Sequence, residues 1–300
     1  MTVSTAQVNY GKLLEPGLRK IIFETYNEKP EQYSRVFNVI SSQKAIETDA
    51  RMGGFSMFNE KATLDTTEYE DMTKLDTVQY KHVTYSKGFL VEKELVDDEQ
   101  YGQIKKAAQA LARAARSTVE VKASSVLNTA FSTSTTNWNG EALIATNHAL
   151  LGGGTSSNSL GTVALTEPNL ELGFKLAREQ VDERGLKIQM NPNLLIVPPS
   201  LEFTAEKIAK SVQLPGSQEN DINPLRGRFQ VIVMDYLTDP NAWFLADTAM
   251  MPLNFFWREK MSFKSENDFD TDVAKYKARM RFSYGWTDWR GIIGSNPANP

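Results

Sequence analysis

The stretch from Met52 to Val91, MGGFSMFNEKATLDTTEYEDMTKLDTVQYKHVTYSKGFLV, sets the tightest limit on what this chain can become. It is rich in Thr, Tyr, Val and charge. Val78, Tyr80, His82, Thr84 and Ser86 alternate with Gln79, Lys81, Val83, Tyr85 and Lys87. That period predicts a strand with two weakly distinct faces. Between Glu60 and Asp76, six acids (Glu60, Asp65, Glu68, Glu70, Asp71, Asp76) stand against two lysines (Lys61, Lys74). An isolated hairpin is marginal in water. This one is long, acidic and poor in core residues, so it needs another surface to lie on. His82, on a polar face, reads as a surface histidine.

The rest of the chain alternates between pieces with a core and pieces without one. Leu18, Ile21, Ile22 and Tyr26 recur at helical spacing before Pro30, and Tyr33, Val36 and Phe37 begin another turn. Residues 97–131 are Ala-rich, open with acids that suit a helix N-terminus, and carry the stripe Ile104, Ala108, Leu111, Ala115, Val119 and Val126. An α/β unit follows. Leu170, Phe174, Ala177 and Val181 predict a helix closed by Gly185. Asn193–Val197 predicts a buried strand, and Ser200 is placed to cap a helix with Leu201, Ala205, Ile208 and Val212 inside. RFQVIVMDYL and AWFLAD predict two further strands. From Ala274 the even positions (Ala274, Tyr276, Ala278, Met280, Phe282, Tyr284, Trp286) are apolar or small. The odd ones are Lys275, Lys277, Arg279, Arg281 and Ser283. Such alternation predicts one buried face and one cationic face.

Little of this points to catalysis. The chain has no cysteine and two histidines, which excludes disulfides, Cys-ligated zinc and thiol nucleophiles. NHALLGGGTSSNS (147–159) has neither the lysine of a phosphate loop nor the glycine spacing of a dinucleotide loop, and reads as flexible chain. GGFSMF lacks the closing glycine of a nucleophile elbow. DFDTD (268–272) spaces acids like a calcium loop, but Arg279 stands where the bidentate Glu belongs. No catalytic residue, cofactor or metal site is expected. The basic row Lys275, Lys277, Arg279, Arg281 reads as a solvated face, as a partner surface for acids such as those of 60–76 in another copy, or as a phosphate-backbone contact. No aromatic residues interleave it, which argues against base stacking.

At 300 residues the chain is near the length at which cores divide, so at least two structural units are expected. The net charge of −4 and a pI of about 5.5 do not attract nucleic acid to the surface as a whole. No apolar run approaches bilayer-spanning length, so no membrane insertion is expected.

Five stretches in this order carry a resemblance: EPGLRKIIFETYNEKPEQYSRVFNV, HVTYSKGFLVEKELVDDEQYG, ATNHALLGGGTSSN, NDINPLRGRFQVIVMDYLTDPNAWFLAD and DVAKYKARMRFSYGWTDWRG. With them the chain resembles the major capsid proteins of tailed bacteriophages (the Hong Kong 97-like fold), and among these the Mu-like major head subunits. The resemblance implies an α+β fold. Its parts would be an N-terminal arm (1–50), an extended E-loop (51–92), a P-domain spine helix (93–132), an A-domain (133–254) and P-domain C-terminal strands (255–300). It implies a structural protein that assembles into hexamers and pentamers around double-stranded DNA, which it contacts weakly and non-specifically. The other partners implied are a separate scaffolding protein, a portal and a decoration protein. Its location would be the virion capsid, and the host cytoplasm during assembly. GGGTSSN becomes a surface loop between two domains. Glu60, Asp65, Glu68, Glu70 and Asp71, with Lys275, Lys277, Arg279 and Arg281, are the candidate subunit-interface residues. Two alternatives share part of the pattern: an encapsulin-like compartment shell, and an α/β hydrolase-like enzyme on 166–250. The second lacks a base, because that segment holds no histidine. A nucleic-acid-binding module on the basic strand is a third.

Overall fold

The computed structural model describes residues 10–98, 100–133, 141–213, 222–268 and 273–297. Asp270 and Asp272 of DFDTD lie outside them, as do residues 215–221 of the polar stretch PGSQENDINP (215–224), which the resemblance implies is near a capsomer axis.

The strict alternation of the tail builds the first sheet. Its order is β1 (Asn38–Ser41), β10 (Leu253–Asp268), β11 (Val273–Trp286), β4 (Val83–Glu92), with β1 parallel to β10 and the rest antiparallel. Ala274, Tyr276, Ala278, Met280 and Phe282 are buried, whereas Lys275, Lys277 and Arg279 face water. Period-2 side-chain direction makes this a choice of register, since a one-residue slip would bury the cations. The long helix packs against this sheet. A short helix α2 (Lys93–Asp97) ends first, and α3 runs Tyr101–Asn128, 28 residues and about 42 Å at 1.5 Å per residue. All six residues of the expected stripe are buried.

Helix α1 (Tyr10–Tyr26) lies on α3 and is held there by two buried side chains of α3. Arg116 Nε donates to Tyr26 O at 3.0 Å, capping the helix end, and its guanidinium sits 3.9 Å from the Tyr26 ring centroid. The Glu120 carboxylate accepts from Gln32 N and Tyr33 N, both at 3.0 Å. The N-terminal segment is therefore part of this chain's own core.

The second sheet has the order β12 (Ile292–Ser295), β9 (Trp243–Ala246), β7 (Leu194–Val197), β8 (Gln230–Val233). Unbroken apolar runs such as LLIV and WFLA suit strands covered on both faces. Leu194, Ile196, Phe244 and Ile292 join the main core, while Leu195, Val197, Trp243 and Ile293 meet α4 (Glu167–Glu179) and α5 (Glu202–Lys210) in a second core. The chain thus crosses back at its end. The expected run of tail strands from 255 to 300 is divided between the two sheets, because IIGS is apolar on both faces and fits only the doubly covered one.

Several local expectations change. α4 stops at Glu179, and Gly185 (φ +87°) instead serves the turn 182–186, where Asp182 Oδ1 accepts from Arg184 N and Leu186 N. Ser200 caps nothing and donates to Pro240 O, and Val212 is 60% exposed beyond the end of α5. The triple glycine is a tight turn between β5 (His148–Ala149) and β6 (Thr155–Ser156), with Gly153 and Gly154 at φ +90° and +81°. His148 is fully buried. It stacks on Trp289 at 4.2 Å and bonds Glu141 and Asn158, whose amide also donates to Leu143 O, Trp289 O and Ile292 O.

His82 is also buried, contrary to the surface reading. It is the one-residue corner between β3 (Lys74–Lys81) and β4, held by Ser42 Oγ at 3.1 Å and Ser283 Oγ at 2.9 Å. Burial, then the nearby Arg281, push its pKa below the ordinary 6.5. The unfolded chain therefore takes up more protons than the folded one once pH falls below about 6.5, and stability declines from there through the lowered folded value. His82→Gln keeps bonding groups for both serines. It is expected to give a shallower loss of Tm between neutral and acid pH than the parent, measured by calorimetry.

Candidate assembly interface

The acidic stretch leaves the body through a stem. β2 (Ile46–Met52) and β3 pair antiparallel from Ile46↔Lys81 to Met52↔Lys74, and Gly53 N donates to Thr73 O at 2.8 Å. The stem stands on the body: Val78 and Tyr80 pack with Phe256, and Tyr80 Oη meets Thr287 Oγ1 at 2.6 Å. Beyond Gly53 no strand continues until Lys74.

Residues 53–73 hold five acids and one lysine, a net −4 that equals the net charge of the whole chain. The rest of the molecule is formally neutral. Glu60, Asp65, Glu68 and Asp71 are exposed, and among the described residues none of them makes an ion pair. Asn59 Nδ2 donates to Glu68 at 2.9 Å, and Asp65 accepts from Ala62 N at 3.3 Å. The same loop exposes Met57 (73%), Phe58 (93%), Leu64 (98%) and Tyr69 (92%). Leu64 takes φ +77°, a conformation uncommon for a bulky residue, at the tip. Such a concentration of exposed apolar side chains is unusual on a lone subunit and makes the loop a candidate contact surface.

Glu70 differs from the other acids. Its carboxylate accepts from Ser56 N and Ser56 Oγ, both at 2.8 Å, and pairs with Arg184 Nη1 at 2.8 Å. Those serine bonds, with Arg184 adding, hold its carboxyl below the usual carboxylate range. Arg184 Nε also donates to Gly54 O at 3.2 Å. The neighbouring Glu183 is buried and binds two guanidiniums through Oε1, Arg51 of the stem at 3.0 Å and Arg290 at 2.9 Å. Leu151 N of the glycine turn donates to Glu183 Oε2 at 3.2 Å, and Gly152 N to the Glu183 main-chain carbonyl at 3.0 Å. Sequence reasoning did not single out Arg51, Glu183, Arg184 or Arg290. The only signal was DERG, which reads as a turn and says nothing of partners.

The cationic row lies on the solvent face of the first sheet. Lys275, Lys277, Arg279 and Arg281 stand opposite Leu90, Gly88, Ser86 and Thr84 of β4, and β10 sets Lys264 opposite Lys277. Lys275 pairs with Asp268 at 2.5 Å and Arg279 with Glu259 at 2.9 Å, which leaves Lys277 and Lys264 without an ion pair among the described residues. Arg281 is only half-exposed, and its Nε has no hydrogen-bond partner among those residues. At Gly88 a Cβ would come 2.4 Å from Tyr276 O, so no side chain fits there, and Gly88 lines a shallow cavity of about 360 Å³ with Leu90, Lys264, Glu266, Lys275 and Lys277. The fold thus sets the acids and the cations on separate surfaces. Of the five acids in 53–73, only Glu70 finds a cation among the described residues, and that cation is not one of the basic row.

Replacing residues 57–69 by a short Gly/Ser linker keeps the Gly53–Thr73 closure and removes no buried side chain. Thermal stability is expected to change by less than about 1 kcal/mol. Glu183→Gln removes the carboxylate that the two buried guanidiniums share, leaving Arg290 with Asp288 at 3.1 Å and Arg51 with Asp76 at 4.0 Å, and is expected to cost about 3 kcal/mol by denaturant titration.

Residues 74–295 match the family model described as phage capsid protein. No curated protein matches the chain. Among solved structures, the procapsid of bacteriophage JBD30 aligns with TM-score 0.55 and 17% identity over 96% of this chain and 75% of that one. The capsid of cyanophage P-SCSP1u aligns with TM-score 0.56 and 12% identity over 91% and 89%. A virus-like particle from Pyrococcus furiosus aligns with TM-score 0.54 and 11% identity over 93% and 98%. At these identities the likeness is one of fold, the α+β Hong Kong 97-like capsid fold.

Proposed function

The chain belongs to the phage capsid protein family, as a major capsid protein that forms the shell, and we propose that its copies join by laying the acidic loop of one on the cationic sheet face of the next. The observation that carries this reading is the separation of charge: all of the net −4 sits on residues 53–73, together with Phe58, Leu64 and Tyr69, while the basic row and Leu90 lie open elsewhere. Complementary patches of this kind set register and partner choice more than raw affinity. The cavity at Gly88 offers an apolar wall and three lysines against one acid, Glu266, to a side chain flanked by acids, such as Tyr69 between Glu68 and Glu70.

In this reading residues 1–50 are the N-terminal arm, 51–92 the E-loop, 93–132 the spine helix and 133–254 the A-domain. Residues 255–300 complete the P-domain, apart from the last strand. The resemblance of the five stretches quoted above supports the Mu-like head subunits as its nearest group in this reading. Hexamers and pentamers enclose double-stranded DNA, held weakly because the chain is net acidic. A separate scaffolding protein, a portal and a decoration protein complete the particle, which is assembled in the host cytoplasm. An encapsulin-like compartment shell is the second reading, since a virus-like particle shares the fold. The family match favours the phage capsid.

The test is a charge exchange. Lys275→Glu/Lys277→Glu and, separately, Glu68→Lys/Asp71→Lys are expected to abolish or strongly reduce shells in negative-stain images, with circular dichroism unchanged. Particles are expected to return when the two variants are mixed or combined. Normal shells from the lysine variant alone would refute the docking.

A further inference from the structure

Glu183 and Arg184 are adjacent, yet they grip opposite sides of one joint. Glu183 holds Arg51, below the Gly53–Gly54 pair where the loop leaves its stem. Arg184 holds Gly54 O and Glu70, above it. The inner grip is buried: Arg51, Glu183 and Arg290 are 8%, 3% and 6% exposed. The outer grip is open to solvent, with side-chain exposures of 24% for Arg184 and 27% for Glu70. A buried ion pair opens only at high cost, whereas a partly exposed one contributes little and exchanges partners readily. The joint between them has the composition of a hinge. Gly53 and Gly54 carry no side chain, and past the Gly53–Thr73 bond no ladder stiffens the loop.

We propose that the Asp182–Gly185 turn is a two-stage clasp on the acidic loop, in which Glu183 fixes the stem permanently and Arg184–Glu70 is a releasable latch that holds the loop of the free subunit in one pose. The latch competes with docking. Glu70 is the one loop acid already neutralised within its own chain, and the loop must give up that cation before all five acids can face a second copy. The latch therefore restrains premature association, a restraint that rests on the docking reading above; the pose of the loop does not.

The chain has no cysteine, so labels can be placed cleanly. Spin labels at Lys61→Cys on the loop and Lys175→Cys on α4 report the loop's pose in dissociated subunits by double electron–electron resonance. The parent is expected to give a narrow distance distribution. Arg184→Ala or Glu70→Gln is expected to broaden it, the double variant no more than either single, and Arg184→Lys to restore it. In light scattering, Arg184→Ala is expected to raise the assembly rate about two- to fivefold, the scale of one partly exposed ion pair. An unchanged distribution in Arg184→Ala, or additive broadening in the double variant, overturns the latch. Broadening without faster assembly overturns its role as a restraint. Because the resonance experiment uses unassembled subunits, it reads the latch whether or not the lysine row proves to be the docking face.

Discussion

The inner face of β11 against α3 is the constraint from which the rest of the molecule hangs. Tyr276, Ala278, Met280 and Phe282 can be buried only if β10 and β4 flank the strand and the helix covers it. Once that register is chosen, the odd positions have no freedom. Lysine and arginine must line the far side, because a slip by one residue would bury them. A strand that secures the core therefore also creates a cationic outer surface, and the core residues and those of the proposed docking face alternate along one segment.

The second sheet works by the opposite rule. Its strands are apolar on both faces, and it sits between two cores rather than between a core and water. β12 returns the chain terminus to it, and Asn158 ties the crossing through three backbone carbonyls. The Asn158 amide is satisfied by backbone geometry that exists only when both sheets are in place, which makes the two units cooperative. The loop root is added to that junction through Glu183, so the direction in which the loop leaves is decided where the two sheets meet.

Much of the architecture was legible in the sequence. The helical stripe from Ile104 to Val126, the alternation from Ala274 and the doubly apolar NLLIV and AWFLAD are local periodicities, and local periodicity survives into structure when the faces it defines are buried. The acids of the loop were legible too, as a segment with too little apolar content to fold alone. The failures share one cause. His82 lay in a polar pattern but at a corner, where Ser42 and Ser283 from distant segments close over it. Val212 and Ser200 fitted a helix that ends before one and begins after the other. Glycine at 185 fitted a helix stop, yet a turn six residues past the helix end used its positive φ.

By itself, then, the sequence determined the class of fold, the cationic face and the need of residues 53–73 for a surface outside themselves, because each follows from spacing along a few neighbouring residues. Tertiary structure alone decided which charges meet. Arg51, Glu183 and Arg290 come from three distant segments and share one carboxylate oxygen. Glu70 differs from Glu68 and Asp71 in having Ser56 and Arg184 beside it. A charge carries no mark of its partner in the linear order; long-range pairing is set by the path of the backbone between the two residues, and that path exists only after the cores have closed.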